Sequence, residues 1–103
     1  MAEDVQKRID DIVKGNKVVL FMKGNARQPQ CGFSMRAVQI LNSIGAPFTT
    51  VNVLEDHEIR EGVKSYSDWP TIPQLFVNGE FVGGSDIAME MFESGDLTKL
   101  ITG

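Results

Sequence analysis

The chain is almost without cysteine: Cys31 is the only thiol among its 103 residues. That excludes an internal disulfide and agrees with a reducing compartment, because small secreted domains usually carry several cysteines in pairs. No apolar run approaches the roughly 18–20 residues that a membrane span needs. The start, Met1-Ala2-Glu3-Asp4-Val5, is an acidic helix beginning that lacks the apolar core of a signal peptide. These absences favour a soluble protein, cytoplasmic or, if a targeting segment has been removed, of an organelle matrix. Excess positive charge is lacking too, and a net charge of −4 argues against a nucleic-acid or anionic-membrane surface. With no internal repeat, low-complexity tract or linker, residues 1–103 are expected to form one domain, and 42% hydrophobic content suffices for one core. The five methionines are scattered at core-like spacings and form no metal box, and His57 reads as solvated.

One further absence is local. Residues 15–47 contain Lys17, Lys23, Arg27 and Arg36 but no Asp or Glu. Cys31 thus lies in the one basic stretch of an acidic protein, a setting that lowers a thiol's pKa and attracts small anions.

What is present orders itself into alternating elements. Val5, Ile9, Ile12 and Val13 recur at helical spacing, with Gly15-Asn16 as a stop, so a helix is expected over residues 3–14. Val18 to Met22 reads as a buried central strand, and residues 33–44 as a helix closed by Gly45 and Pro47. Residues 48–53 have strand composition, and Asp56 caps a helix through Ile59, Val63 and Tyr66. Gln74 to Val77, Asn78-Gly79 and Glu80 to Val82 form a hairpin signal with a type I′ turn. A helix capped by Ser85 or Asp86 runs to Gly95, and residues 96–101 form a short last one. A parallel strand-helix-strand half, joined through a helix to an antiparallel hairpin, is the thioredoxin arrangement: α/β, with the thiol after the first core strand.

Cys31 falls where a strand-to-loop passage enters a helix, whose unpaired N–H groups and dipole favour a thiolate. A two-cysteine redox motif would put its resolving thiol three residues on. Ser34 occupies that place, and it is read as mattering mostly by not being cysteine. Cys31 therefore needs a second molecule for its chemistry.

Cys31-Gly32-Phe33-Ser34 is preceded by Lys23-Gly24 and Pro29-Gln30. It is followed by Trp69-Pro70-Thr71-Ile72-Pro73-Gln74 and by Gly83-Gly84-Ser85-Asp86. These four motifs, in this order and over nearly the whole chain, resemble the single-domain CGFS-type monothiol glutaredoxins. The resemblance implies a thioredoxin-like glutaredoxin fold, with a four-stranded mixed sheet flanked by helices, and glutathione as ligand. It implies that Lys23 and Arg60 hold the glycine carboxylate, with Gln28 and Lys64 as lesser neighbours. Ile72 would bind the cysteinyl part through its main chain, flanked by Thr71 and turned outward by a cis Pro73. Residue statistics alone favour trans there, since only about 5–6% of X-Pro bonds are cis. Gly84 and the N–H groups of Ser85 and Asp86 suit the γ-glutamyl carboxylate, and the Asp86 carboxylate suits the ammonium. By residue type alone, Lys23 is a solvated loop lysine, Arg60 a surface arginine and Trp69 an apolar anchor before a proline turn. Asn25-Ala26-Arg27-Gln28 departs from the Thr-Pro that the family pattern has after Lys-Gly, and Ser85 stands where some members have a second cysteine.

A [2Fe–2S] cluster commonly takes four thiolates. The resemblance implies that Cys31 is both the metal ligand and the reactive residue. Two chains and two glutathione molecules complete the four ligands in a homodimer. It further implies transfer of the cluster to recipient apoproteins and a BolA-like partner. The competing reading is a glutathione-dependent oxidoreductase, in which Cys31 is glutathionylated and then regenerated by a second glutathione. Gly-Phe-Ser in place of Pro-Tyr after the cysteine, and the longer loop from Gly24 to Gln30, weigh against that as the main role. A pure interaction module leaves the conjunction of glutathione motifs unexplained.

Overall fold

The computed structural model describes residues 2–103, with side chains from Asp4 onward; Met1 of the acidic start lies outside them. The first helix, α1 (Ala2–Gly15), buries Val5, Ile9 and Val13, one residue per turn along one face. The Asn16 side chain donates to the Ile12 carbonyl at 2.9 Å and closes its end. Next come β1 (Val18–Met22), α2 (Gly32–Ile44), β2 (Thr49–Asn52) and α3 (His57–Ser67). The chain finishes with β3 (Gln74–Val77), β4 (Glu80–Gly83), α4 (Ser85–Ser94) and α5 (Asp96–Thr102).

The strands form one sheet in the order β2-β1-β3-β4, with β1 parallel to β2 and antiparallel to β3, and β3 antiparallel to β4. The central strands β1 and β3 are buried along their whole length, which is why β1 reads as an unbroken apolar run and β3 as one from Leu75 onward, rather than as alternating ones. Strand alternation sends Val18, Leu20 and Met22 to one face against α2, α4 and α5. Val19 and Phe21 go to the other face, against α1 and α3. On that second face Phe76 sits among Phe21, Tyr66 and Phe81 at centroid distances of 5.6, 5.8 and 5.4 Å. Each such aromatic pair contributes about 0.5–1.5 kcal/mol beyond its buried area. The result is the thioredoxin-like, four-stranded mixed sheet with helices on both faces.

Local signals place the connections. Asp56 accepts from the Ile59 N–H at 3.1 Å as the N-cap of α3, and Gly45 closes α2 in the left-handed region at φ 82°. Asn78 and Gly79 both have positive φ, 54° and 81°, as a type I′ hairpin requires. One expectation is corrected at α4. Its N-cap is Gly84, and neither Ser85 nor Asp86 caps it. Ser85 is buried and Asp86 swings out to Arg36 of α2 at 3.5 Å, so neither side chain turns back on the first-turn N–H groups.

Topology gathers the chemically interesting segments at one end of the sheet. Because β1 and β3 run antiparallel with Phe21 opposite Gln74, the segment that leaves β1 at Lys23 and the one that enters β3 through Ile72 and Pro73 lie at the same end of the sheet. The turn from β4 into α4 lies on the next strand over, at the same end.

Candidate functional site

Cys31 is the N-cap of α2, in extended backbone, and its sulfur accepts from the Ser34 N–H at 3.3 Å. The Ser34 hydroxyl lies 3.2 Å from the same sulfur and also accepts the Lys23 N–H at 3.1 Å. Ser34 is 0% exposed, so one buried hydroxyl ties the end of β1 to the thiol. This corrects the sequence reading of Ser34 as mattering mostly by not being cysteine. Partial burial alone would push the thiol's pKa up. The Ser34 hydroxyl, the Ser34 and Phe33 N–H groups and the Lys23 charge together outweigh it and hold Cys31 below the ordinary thiol value.

The loop between β1 and α2 is ordered by its own polar groups. Asn25 accepts through its side-chain oxygen from the Arg27 and Gln28 N–H groups at 3.0 and 2.9 Å, an Asx-type turn. Gly24, at φ 89°, lets the chain double back so closely that a Cβ there would lie 2.5 Å from the Gln28 carbonyl oxygen. Its N–H is held by Asn52 of β2 at 2.9 Å, and the Gln30 N–H returns to the Lys23 carbonyl at 2.8 Å. Asn25 thus supplies this turn from its own side chain.

Beside this thiol lies a cavity of about 450 Å³. Lys23 and α3's Arg60 and Lys64 line one part of it, and Thr71, Ile72 and Pro73 form a wall. Gly84, Ser85 and Asp86 line the part at the start of α4. All eight residues expected to bind ligand therefore come together, from four separate segments, and the Ile72–Pro73 bond is cis. Cys31 itself is not among the lining residues; its neighbour Phe33, 59% exposed, is. Gln28, expected as a lesser neighbour, does not line the cavity; its backbone is engaged in the Asn25 turn. Among the described residues neither Lys23 nor Arg60 is paired with a carboxylate, whereas Lys64 pairs with Glu61 at 3.2 Å. Since α4 has no side-chain cap, its first-turn N–H groups stay free at the cavity's edge.

Sequence reasoning missed Phe33, Pro70 and Ile87 as lining residues. Trp69, read as an apolar anchor, does pack 5.7 Å from Phe81, and it also lines the cavity. For Phe33 the available signal was its place one step inside a helix whose cap is the thiol. For Ile87 there was none, since its residue type fits the core equally well.

The profile of the glutaredoxin family matches residues 18–82, well over half of the chain. An uncharacterized monothiol glutaredoxin from Synechocystis is 56% identical over 98% of this chain and 94% of its own length. The mitochondrial glutaredoxin-related protein 5 of Danio rerio is 54% identical over 91% of this chain, which spans 61% of that longer relative. Among solved structures, reduced apo GrxS14 of poplar is 51% identical and superposes with a TM-score of 0.83 over 95% of this chain and 90% of that one. A buckwheat glutaredoxin, at 23% identity and a TM-score of 0.88, shares the fold over 98% and 90%. With its lone thiol capping α2 and Ser34 in the resolving position, this chain belongs to the glutaredoxin family and, within it, to the CGFS-type monothiol members.

Proposed function

We propose that this protein binds glutathione in the cavity beside Cys31 and, as a homodimer, carries a [2Fe–2S] cluster that it hands to recipient apoproteins. The observation that carries the reading is one lowered-pKa thiol adjoining a cavity whose charges match glutathione. Glutathione has two carboxylates and one ammonium at neutral pH. Lys23 and Arg60, cations with no partner among the described residues, would take the glycine carboxylate. The free N–H groups of Ser85 and Asp86 would take the γ-glutamyl carboxylate, and the exposed Asp86 carboxylate the ammonium. Thr71, Ile72 and Pro73 would hold the cysteinyl part between these ends. A volume of about 450 Å³ falls within the roughly 300–1,000 Å³ usual for small-molecule sites.

The cluster is cargo, and the ligand count closes only across a dimer. Each chain contributes one thiolate, Cys31, and each bound glutathione another, which makes four. With half of its ligands exchangeable, such a cluster suits a carrier. A BolA-like protein is proposed as an alternative partner at the same site, and a reducing soluble compartment, cytoplasm or organelle matrix, as the location. Among the described residues no helix is long and apolar enough to cross a membrane.

Anaerobic reconstitution with iron, sulfide and glutathione tests this, read by visible absorption and gel filtration. A coloured species at dimer size is expected, lost on omitting glutathione or in Cys31→Ser. A colourless monomer, or colour retained by Cys31→Ser, refutes the reading. The depressed thiol pKa favours one second activity. The Cys31 thiolate would attack the glutathione sulfur of a mixed disulfide and expel the other thiolate. A second glutathione thiolate would then attack the Cys31-bound glutathione, releasing oxidised glutathione and regenerating Cys31. Turnover of a small glutathione mixed disulfide measures it.

A further inference from the structure

Gln74 is 0% exposed at the head of the central strand β3, a primary amide among Phe21, Phe76 and their apolar neighbours. Burying such a group is costly unless its polar atoms are paired. Its Nε2 donates to two carbonyls of one loop, Trp69 at 3.0 Å and Thr71 at 3.1 Å, while its Oε1 has no partner. The amide cannot be turned over, because its oxygen would then face two other oxygens. A core residue that leaves its own acceptor unsatisfied in order to hold two neighbouring carbonyls is specialised for the shape of that loop.

Peptide planarity supplies the consequence. In a trans peptide the C=O and the following N–H point in opposite directions. The Thr71–Ile72 bond is trans, since the cis bond lies one residue later. With the Thr71 carbonyl drawn inward to Gln74, the Ile72 N–H is directed away from the core. Among the described residues no acceptor takes it, and both Thr71 and Ile72 line the cavity. Pro70 and Pro73 carry no N–H, and the Trp69 N–H is already bound to the Lys64 carbonyl at 3.1 Å.

We infer that Gln74 is a positioning residue: by holding the Thr71 carbonyl inward it presents the Ile72 N–H as the donor that recognises a carbonyl of an extended peptide ligand in the cavity. The inference rests on the glutathione reading of this same site and adds to it the group that sets the direction of the main-chain donor.

The test is titration of the ¹⁵N-labelled full chain with glutathione, for wild type and Gln74→Met, which keeps length and removes the donor. In wild type the Ile72 amide is expected to shift downfield and to become protected from solvent exchange on binding. In Gln74→Met the affinity is expected to fall about tenfold, the worth of one hydrogen bond, and the Ile72 signature to disappear. Gln74→His, which restores one donor, should recover part of both. A folded Gln74→Met that binds within twofold of wild type with its Ile72 shift intact overturns the inference. So does a wild-type Ile72 amide that neither shifts nor gains protection, and this arm needs no variant to fold. Absence of glutathione binding by wild type would instead sink the reading of the site itself, and the role of Gln74 with it.

Discussion

Two adjacent glycines at the start of α4 should respond in opposite ways to the same added methyl group. Gly83 has φ 151°, and a Cβ built there would lie 2.8 Å from Cβ and 2.9 Å from Cδ1 of Ile87. Holding alanine in a region that L-residues avoid costs about 1–3 kcal/mol. Forcing a methyl against a packed side chain costs about 1–3 kcal/mol more. The sum is roughly 2–6 kcal/mol, and at roughly 4–8 °C per kcal/mol for a domain near this size the melting temperature should fall by some 10 °C or more. Gly84 has φ −87°, which alanine adopts freely, and its Cβ would stand 3.4 Å from the Pro73 oxygen and 3.7 Å from Trp69 Nε1. These are ordinary contacts, so Gly84→Ala should melt within a few degrees of wild type. Both neighbours line the cavity, however, and the methyl would occupy the space where a carboxylate must approach the free N–H groups of Ser85 and Asp86. Gly84→Ala should therefore lose about tenfold or more in glutathione affinity, the loss of at least one charge-assisted hydrogen bond. Thermal unfolding followed by circular dichroism and calorimetric titration with glutathione separate the two effects. A Gly83→Ala protein that melts like wild type, or a Gly84→Ala protein that binds like wild type, refutes the reasoning.

Ser34→Ala removes the hydroxyl beside the Cys31 sulfur and orphans the Lys23 N–H, so the thiol pKa should move up. The pH profile of iodoacetamide alkylation measures it, and an unmoved midpoint counts against the role given to Ser34. The native thiol ionises below its ordinary value of 9.0, so the thiolate's contribution to stability is complete above that value and is lost as pH falls through the native pKa; Ser34→Ala should narrow that window. Tyr66 is pushed up to about 12 from 10.0, by burial first and then by its 2.7 Å hydrogen bond to Asp10. Its neutral phenol therefore contributes stability that is complete below pH 10 and is lost as pH rises through about 12. Tyr66→Phe should remove that alkaline loss at a cost near neutrality of about 1 kcal/mol, read by denaturant unfolding at several pH values.

The elements were legible because each rests on a short-range signal. Five apolar residues at 18–22, the Asp56 cap and the Asn78-Gly79 pair act within a few residues of themselves. The cap of α4 was not legible, since Gly84, Ser85 and Asp86 can all serve and the choice depends on what Ser85 packs against and on Arg36 across the helix pair. Ser34 and Gln74 were hidden for the same reason. Their partners, Lys23 in one case and the Trp69 and Thr71 carbonyls in the other, are fixed by strand register and loop path. Gln74 did leave a trace: a polar residue heading the apolar run Leu75-Phe76-Val77, where burial makes an amide costly without specific acceptors. The residues that line the cavity became nameable as candidates through the family resemblance carried by four motifs far apart in the chain, and none of them at the level of residue type alone.

A net charge of −4 opposes a ligand with two carboxylates, and the distribution of charge resolves the contradiction. At physiological ionic strength exposed charges are screened beyond about 8 Å, so a small ligand in the cavity responds to the groups lining it rather than to the total. Those groups fall into two sets. Lys23, Arg60 and Lys64 form a cationic one, and the Asp86 carboxylate beside the uncapped, partially positive start of α4 forms a mixed one that suits an ammonium next to a carboxylate. The pairs already made there, Lys64 with Glu61 and Asp86 with Arg36, are exposed and worth roughly 0–1 kcal/mol, so a ligand exchanges them at little cost. Lys23 and Arg60 have no carboxylate partner among the described residues to exchange, so they are expected to be the larger contributors. The acidic remainder of the surface repels extended polyanions, whose charges lie outside the cavity's screening distance, and leaves the local cations to a ligand small enough to fit inside it.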